Sequence, residues 1–192
     1  MGKTAKELKV ELARALQRVE SLERMVKDLS YQAFVDDMTG LPNYRAFCQR
    51  LDQLIKEHGR GRPFCLVMVD VDNFKRVNDT FGHQIGDEIL RHVATLLHSG
   101  SRQVDFVGRY GGEEFCMLLP DTHLKGAADV ANRARSAIAS APYGCTQITA
   151  SFGVCSYSEG MSATELVSAA DGALYKAKED GRNLVVACEE ID

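Results

Sequence analysis

Two pairs of acidic residues have the types and the spacing that metal-assisted chemistry requires. Asp70 and Asp72 stand at the end of a nearly continuous apolar run from Phe64 to Val71, and Glu113 and Glu114 follow a Gly-Gly pair. A carboxylate at the end of a buried strand costs stability unless it is solvated, caps a helix or coordinates a cation. We interpret Asp70 as a site residue because it terminates the strand, and we expect Asp72 to cap the following helix.

The two glutamates lie beside a predicted hairpin turn. Gly111-Gly112 separates two short predicted strands, and a tight primed turn needs the positive φ that glycine adopts freely. Two adjacent acids at the start of a strand both lower β-propensity, so a plain hairpin does not need them. If the hairpin lies beside the Phe64–Val71 strand, Asp70 and the glutamates converge on divalent cations, as in two-metal phosphoryl transfer. The alternative is a solvated loop edge.

The other predicted elements are those that would position these acids. The order is strand, helix, hairpin, helix, strand, helix, strand, which predicts an α+β fold with a ferredoxin-like mixed sheet covered by helices. The elements are a helix after Asn43, the strand Phe64–Val71, a helical stretch Asn73–Leu97 interrupted near Gly82 and Gly86, the strands Phe106–Tyr110 and Phe115–Leu119, a helix Leu124–Ala139, a strand Ile148–Val154, a helix opened by the Ser162-x-x-Glu165 capping box, and a strand Leu184–Ala187.

A seven-residue apolar repeat precedes this domain and predicts an N-terminal coiled-coil helix. We therefore expect a stalk over residues 1–35 and a globular domain over 36–192. The alternative is one amphipathic helix that lies on its own domain. One seam position holds Ala5, Leu12, Val19, Val26 and Ala33, and the other holds Leu8, Ala15, Leu22 and Leu29.

Composition restricts the function classes. The 192 residues are 45% hydrophobic and 26% charged with a net charge of −4, so the chain can bury a core and has no overall basic footprint for nucleic acid. No apolar run approaches the roughly 18 residues of a membrane span, and we expect a cytoplasmic protein without membrane contact in this chain. The six cysteines form no C-x-x-C pair, which favours reduced thiols over zinc or disulfides.

Four ordered segments resemble the GGDEF-domain diguanylate cyclases, in the variant with glutamate at the third motif position. The resemblance runs from about Asp36 to Val186, roughly four-fifths of the chain, and departs from the family pattern at Met38 and Tyr44. The segments are Asp37-Met38-Thr39-Gly40-Leu41-Pro42-Asn43, Asp70-Val71-Asp72-x-Phe74-Lys75-x-x-Asn78-Asp79-x-Phe81-Gly82-His83-x-x-Gly86-Asp87, Arg109-Tyr110-Gly111-Gly112-Glu113-Glu114-Phe115 and Ala173-Leu174-Tyr175-x-Ala177-Lys178-x-x-Gly181-Arg182-Asn183.

The resemblance implies a nucleotide cyclase-like fold and the condensation of two GTP into cyclic di-GMP with release of two pyrophosphates. It implies two Mg²⁺ or Mn²⁺ ions per active site, held by Asp70, the Val71 carbonyl and Glu114. Glu113 is implied as a metal ligand or as the general base for the 3′ hydroxyl. We therefore expect Asp70, Glu113 and Glu114 to be catalytic.

The resemblance also implies how the substrate is held. Guanine recognition falls to Asn78 and Asp87, with His83 nearby, because a carboxylate accepts from N1–H and the 2-amino group, which adenine does not present together. Asp87 thus favours GTP over mixed use of GTP and ATP. The phosphates are expected to meet the backbone at Asn73 and Phe74 and the side chains of Lys75, Lys178 and Arg182.

Three further expectations concern regulation. Arg102-x-x-Asp105 lies upstream of the hairpin at the spacing of the family's inhibitory site for cyclic di-GMP, with Arg133 as a second contact; an exposed Arg–Asp pair without function is the alternative. Because two GTP must react with each other, the active species is expected to be a homodimer formed through the coiled coil. We expect an upstream sensory module before Met1. The rival function is a catalytically inactive GGDEF domain that serves as a receptor for GTP or cyclic di-GMP.

Overall fold

The structure is a computed structural model that describes residues 5–58, 61–144 and 146–188. A five-stranded mixed sheet with the strand order β2-β3-β1-β4-β5 forms its centre. The elements are α1 (Ala5–Phe34), α2 (Tyr44–His58), β1 (Phe64–Val71), α3 (Phe74–Phe81), α4 (His83–Ser99), β2 (Phe106–Gly111), β3 (Glu114–Pro120), α5 (Leu124–Ser140), β4 (Ala150–Ser156), α6 (Ala163–Glu179) and β5 (Val185–Ala187).

The central strand β1 is buried along its whole length because helices cover both faces of the sheet. Its odd-numbered residues from Cys65 to Val71 pack with α3, α4 and α5. Leu66 and Met68 pack on the other face with α2 and α6. Alternation along the strand therefore points Asp70 to the α2 and α6 face. Both neighbours of β1, namely β3 and β4, are antiparallel to it, and β5 adds to β4 in parallel.

The predicted α+β fold is confirmed, and the hairpin pairs with the Phe64–Val71 strand, which is the condition stated above for the acids to converge. The predicted helix interruption near Gly86 is wrong, since only Gly82 separates α3 from α4. The predicted Gly111-Gly112 turn is also shifted by one residue. Gly111 pairs with Glu114 after a bulge, so the turn residues are Gly112 and Glu113, and Gly112 has the positive φ of 46°.

The segment between α1 and α2 is fixed by local hydrogen bonds. Asp36 Oδ1 accepts from the backbone N–H and the hydroxyl of Thr39. Asn43 Oδ1 accepts from the backbone N–H groups of Arg45 and Ala46, at 3.0 and 3.1 Å, which confirms that Asn43 caps α2. The Ser162–Glu165 capping box is likewise present at the start of α6. These contacts fix where α2 and α6 begin.

Helix α1 is continuous over 30 residues, and five of its described large apolar side chains are exposed. The predicted seam residues Leu12, Val19 and Leu22 are 60%, 51% and 51% exposed, and Leu16 and Met25 beside them are 56% and 55% exposed. The predicted seam side chains of Ala5, Leu8, Val26 and Leu29 lie outside the part of the structure that is described. Across the described ranges, no helix combines the length and apolar character needed to cross a bilayer.

The described cysteines are free thiols, and most are buried, as the sequence predicts. Cys65, Cys116 and Cys155 are buried within the sheet, while Cys48 and Cys188 are half-buried. Burial raises the pKa of Cys65 to about 11, so this thiol stays protonated. The sixth cysteine, Cys145, lies outside the described residues.

Candidate active site

Asp70 and Glu114 face each other across two neighbouring strands. They are paired residues in the β1–β3 register, and the Val71 N–H donates to the Glu113 carbonyl over 3.3 Å. Paired positions of antiparallel strands point to the same face, so both carboxylates lie on the α6 side of the sheet. The structure thus brings together the acids of two separate segments, while Glu113 stands next to them in the turn.

Burial and neighbouring negative charges disfavour the ionised forms of Asp70 and Glu114. Burial raises the pKa of Asp70, the Lys178 ammonium partly offsets this, and the charges of Glu113 and Asp72 raise it further. Burial also raises the pKa of Glu114, with the Asp70 charge as the next cause. A half-buried group of acids with raised pKa values is typical of functional sites and attracts cations.

Lys178 supplies positive charge to this group from the last turn of α6. Its Nζ lies 2.8 Å from Oδ2 of Asp70. Partial desolvation raises the pKa of Asp171, a largely exposed residue of α6, and the same ammonium offsets part of this rise. Asp171 was missed by the sequence analysis. Its signal is the seven-residue interval to Lys178, which places both residues on one face of a helix.

Asp72 is a structural acceptor and does not cap α3, so that expectation is wrong. Its Oδ2 accepts from the Thr149 hydroxyl at 2.7 Å and from the Asn183 N–H at 3.0 Å, and its Oδ1 accepts from the Ser151 hydroxyl at 2.7 Å. The N-cap of α3 is instead Asn73, which has a left-handed φ of 55° and makes no side-chain cap bond. Asp72 therefore ties the end of β1 to β4 and to the segment before β5.

The expected guanine-binding residues lie on α3 and α4, on either side of the break at Gly82. Asn78 Oδ1 is buried, and within the described residues it has no hydrogen-bond partner. Gly86 lies so close that a Cβ there would be 2.0 Å from this oxygen. Asp87 is the next residue of α4 and is half-buried, while His83 at the start of α4 is exposed. A buried amide oxygen without a partner is costly, and it is an acceptor for a ligand N–H.

The residues expected to bind phosphate lie directly after β1 and around the end of α6. Lys75 on α3 is exposed next to the buried Phe74, and Asn73 begins this turn. Arg182 is exposed beyond α6, where its left-handed backbone (φ 64°) donates its N–H to the Ala177 carbonyl. The structure therefore places one of these cationic side chains on α3, which follows β1, and another just beyond α6.

Arg109 holds the turn that carries the glutamates. Its Nε and Nη2 donate to the Gly112 carbonyl at 3.0 and 2.7 Å, and its Nη1 lies 3.0 Å from Oδ2 of Asp36. Burial acts to raise the pKa of Asp36, but the Thr39 hydrogen bonds and Arg109 outweigh it and hold the pKa below its ordinary value. No role was predicted for this pair from the sequence, although the arginine next to the turn was its signal.

Arg102 and Asp105 lie at the opposite end of the β1–β3 ladder and bind each other. Arg102 Nη2 lies 2.7 Å from Asp105 Oδ1 and also donates to the Pro120 carbonyl and the Thr122 hydroxyl. Pro120 pairs with the first residue of β1, whereas Glu114 pairs with Asp70 near its end. Arg133 is exposed on α5. The structure thus separates this pair from the acidic site.

No group of three or more His, Cys, Asp or Glu side chains in the described part of the chain converges closely enough to hold a metal ion by side chains alone. The ligand set implied by the family combines the Asp70 and Glu114 carboxylates with a backbone carbonyl, at Val71. The donors that are present are hard oxygens on paired strand positions, which suit Mg²⁺ or Mn²⁺. The residues therefore fit such an ion.

The family model "Diguanylate cyclase, GGDEF domain" matches residues 33–184, and the chain belongs to this family. The chain is 41% identical over 181 residues to the diguanylate cyclase DgcP of Pseudomonas aeruginosa, covering 88% of this chain and 27% of DgcP. It is 38% identical over 191 residues to the response regulator PleD of Caulobacter vibrioides, covering 94% of this chain and 42% of PleD. The chain thus spans less than half the length of these relatives.

Solved structures show the same fold. The coiled coil and GGDEF domain of DgcB from Caulobacter crescentus, in complex with c-di-GMP, matches with a TM-score of 0.89 and 33% identity, covering 94% of this chain and 99% of that chain. The active GGEEF domain of a diguanylate cyclase from Vibrio cholerae matches with a TM-score of 0.74 and 34% identity, covering 78% and 98%.

Proposed function

We propose that this chain is a diguanylate cyclase that condenses two GTP into cyclic di-GMP and releases two pyrophosphates. The observation that carries the proposal is the pairing of Glu114 with Asp70 at the end of the buried strand β1. The family membership and the named cyclases among the relatives support the same reaction. Each 3′ hydroxyl attacks the α-phosphate of the other GTP, and pyrophosphate leaves.

Asp70, the Val71 carbonyl and Glu114 would hold Mg²⁺ or Mn²⁺, with two ions per active site and Glu113 as a further ligand. Such ions neutralise the phosphate charge and favour deprotonation of the attacking hydroxyl. The residues themselves supply the orientation, because the strand register fixes both carboxylates on one face. Glu113 alternatively accepts the proton of the 3′ hydroxyl as the general base.

Asn78 and Asp87 are proposed to select guanine. The buried Asn78 oxygen gains a partner from a guanine N–H, which adds affinity because its acceptor is otherwise unsatisfied. Asp87 accepts from N1–H and the 2-amino group, with His83 at the rim. Lys75, Lys178, Arg182 and the backbone at Asn73 and Phe74 would bind the triphosphate, which lets a chain of net charge −4 hold a polyanion.

The exposed apolar stripe of α1 is proposed to form a parallel coiled coil that brings two domains face to face. Leu12, Val19 and Leu22 are at least half exposed, and an uncovered stripe of this kind is typical of an interaction surface. The structure of DgcB that matches 94% of this chain also contains a coiled coil. The stalk then raises the effective concentration of one GTP-loaded domain about the other.

Arg102 and Asp105, with Arg133, are proposed as the site at which cyclic di-GMP inhibits the enzyme. In the structure Arg102 is half exposed and its Nε and Nη2 bind Asp105, so product binding through these donors requires the guanidinium to exchange this partner. Arg102→Ala is expected to abolish inhibition by added cyclic di-GMP, measured against the variant's own rate without added product. Inhibition that is unchanged in this variant would contradict the site.

The catalytic proposal is tested by chromatography of the products formed from GTP and Mg²⁺. We expect cyclic di-GMP from the wild-type protein and a loss of at least about 100-fold in rate for Glu114→Gln, since one transition-state charge contact contributes roughly 3 kcal/mol or more. Glu159→Gln is the matched control, because Glu159 is exposed in the turn before α6. Equal turnover by both variants would contradict the assignment. Binding of GTP without any product would instead favour a receptor.

A further inference from the structure

The Lys178 ammonium lies within the acidic site. Nζ lies 2.8 Å from Asp70 Oδ2, with the two side chains 31% and 11% exposed. The backbone on either side is fixed, since Asp180 donates its N–H to the Lys176 carbonyl and Arg182 donates to Ala177. The long side chain therefore reaches from a fixed helix end to the edge of the sheet.

The surroundings of this ion pair are otherwise acidic. Beyond the effect of burial, Glu113 and Asp72 raise the pKa of Asp70 by their charge, and Asp70, Asp171 and Glu113 do the same to Glu114. Lys178 opposes both effects. The ammonium thus offsets part of the repulsion in the group where the proposed function places a divalent cation.

We infer that Lys178 is an exchangeable counter-ion of the metal site, which neutralises Asp70 in the absence of a divalent cation and leaves that carboxylate when one binds. The inference rests on the proposed function, since it takes Asp70 and Glu114 as metal ligands. A doubly charged ion on Asp70 and an ammonium 2.8 Å from Oδ2 repel each other strongly in a half-buried site. A lysine suits such an exchange because its ammonium is a compact charge on a flexible stem.

The exchange couples the metal to the substrate. Once Lys178 leaves Asp70, its charge is free to act on a bound triphosphate, for which it is one of the proposed contacts. Metal binding thereby increases affinity for the nucleotide, and by linkage the nucleotide increases affinity for the metal. In this scheme Lys178 controls when the Asp70 carboxylate is available, and it contacts the triphosphate only after it has left that carboxylate.

The test is a Mn²⁺ titration of the full chain without nucleotide, with free Mn²⁺ measured by electron paramagnetic resonance. Lys178→Met removes the competing charge, so we expect this variant to bind Mn²⁺ at least about tenfold more tightly than wild type does. A tenfold change in affinity corresponds to roughly 1.4 kcal/mol. Lys176→Met is the matched control, because Lys176 is exposed on the same helix turn. We expect wild-type affinity for this control and for Lys178→Arg.

If Asp70→Asn abolishes Mn²⁺ binding and Lys178→Met binds Mn²⁺ no more tightly than wild type does, the inference is overturned. If Asp70→Asn binds Mn²⁺ as wild type does, the metal ligands of the proposed function are wrong, and the inference falls with them. Thermal melts in EDTA check the folding of each variant. Lys178→Gln repeats the test with a polar side chain, and the same tightening is expected.

Discussion

Substitution of Gly86 by alanine separates guanine recognition from folding. A Cβ at this position of α4 would lie 2.0 Å from Asn78 Oδ1 and 3.1 Å from Phe74 Cζ. The closest atom is the end of a side chain, so the Asn78 amide rotates away and the two helices keep their positions. Overpacking costs about 1–3 kcal/mol and alanine gains roughly 1 kcal/mol in helix propensity. The free energy of unfolding should therefore fall by at most about 2 kcal/mol.

Nucleotide binding should suffer more than stability. The displaced Asn78 amide no longer meets guanine, and the loss of one buried hydrogen bond, about 1–3 kcal/mol, weakens binding roughly 5- to 150-fold. The assay is calorimetric titration with a non-hydrolysable GTP analogue and Mg²⁺, beside denaturant unfolding of the same samples. Gly172→Ala is the control, since no atom lies within 4 Å of its added Cβ. A Gly86→Ala protein that binds the analogue as tightly as wild type would refute this account of Asn78.

Three other substitutions test separate parts of the structure. Asp72→Ala leaves three hydrogen-bond donors without their acceptor and should lower the free energy of unfolding by about 3–5 kcal/mol in urea titration; a change below about 1 kcal/mol would contradict its structural role. Glu114→Gln tests pH dependence: because the folded pKa of Glu114 is raised, its neutral form supports folding at low pH and that support is lost as pH rises through the raised pKa. The variant should therefore have a higher melting temperature than wild type at pH 7.5 and an equal melting temperature near pH 4. A difference in melting temperature that widens on acidification would be inconsistent with this. Leu22→Glu should lower both the dimer fraction by light scattering and the cyclase rate, whereas Gln17→Glu, outside the predicted seam, should change neither; loss of dimer without loss of rate would exclude the stalk from catalysis.

The sequence alone was sufficient for the order of the elements around the site and for the main acidic pair. The apolar run of β1 and the Gly-Gly turn predicted a strand beside a hairpin, and the register then joined Asp70 to Glu114. These signals are local, since periodicity and turn residues act over a few positions. The family motifs added the remaining site residues.

The sequence did not predict hydrogen bonds between residues that are far apart in the chain, nor places where a backbone lies close to another residue. The hydrogen-bond partners of Asp72 are 77, 79 and 111 positions away, so local spacing favoured a helix cap instead. The sequence indicated that Gly86 interrupts the helix. In the structure Gly86 lies within α4, at a point where a Cβ would come too close to the Asn78 side chain. The Lys178–Asp70 ion pair also depends on tertiary packing, which brings the end of α6 to the end of β1.

The proposed cyclase activity is best tested by identifying the products of nucleotide-stripped protein incubated with Mg²⁺ and either GTP or ATP. We expect cyclic di-GMP from GTP alone, with two pyrophosphates released per cyclic product, and no turnover in Asp70→Asn. Turnover of ATP to a cyclic dinucleotide would contradict guanine selection by Asn78 and Asp87. A wild-type protein that binds GTP and releases no pyrophosphate would contradict the cyclase itself.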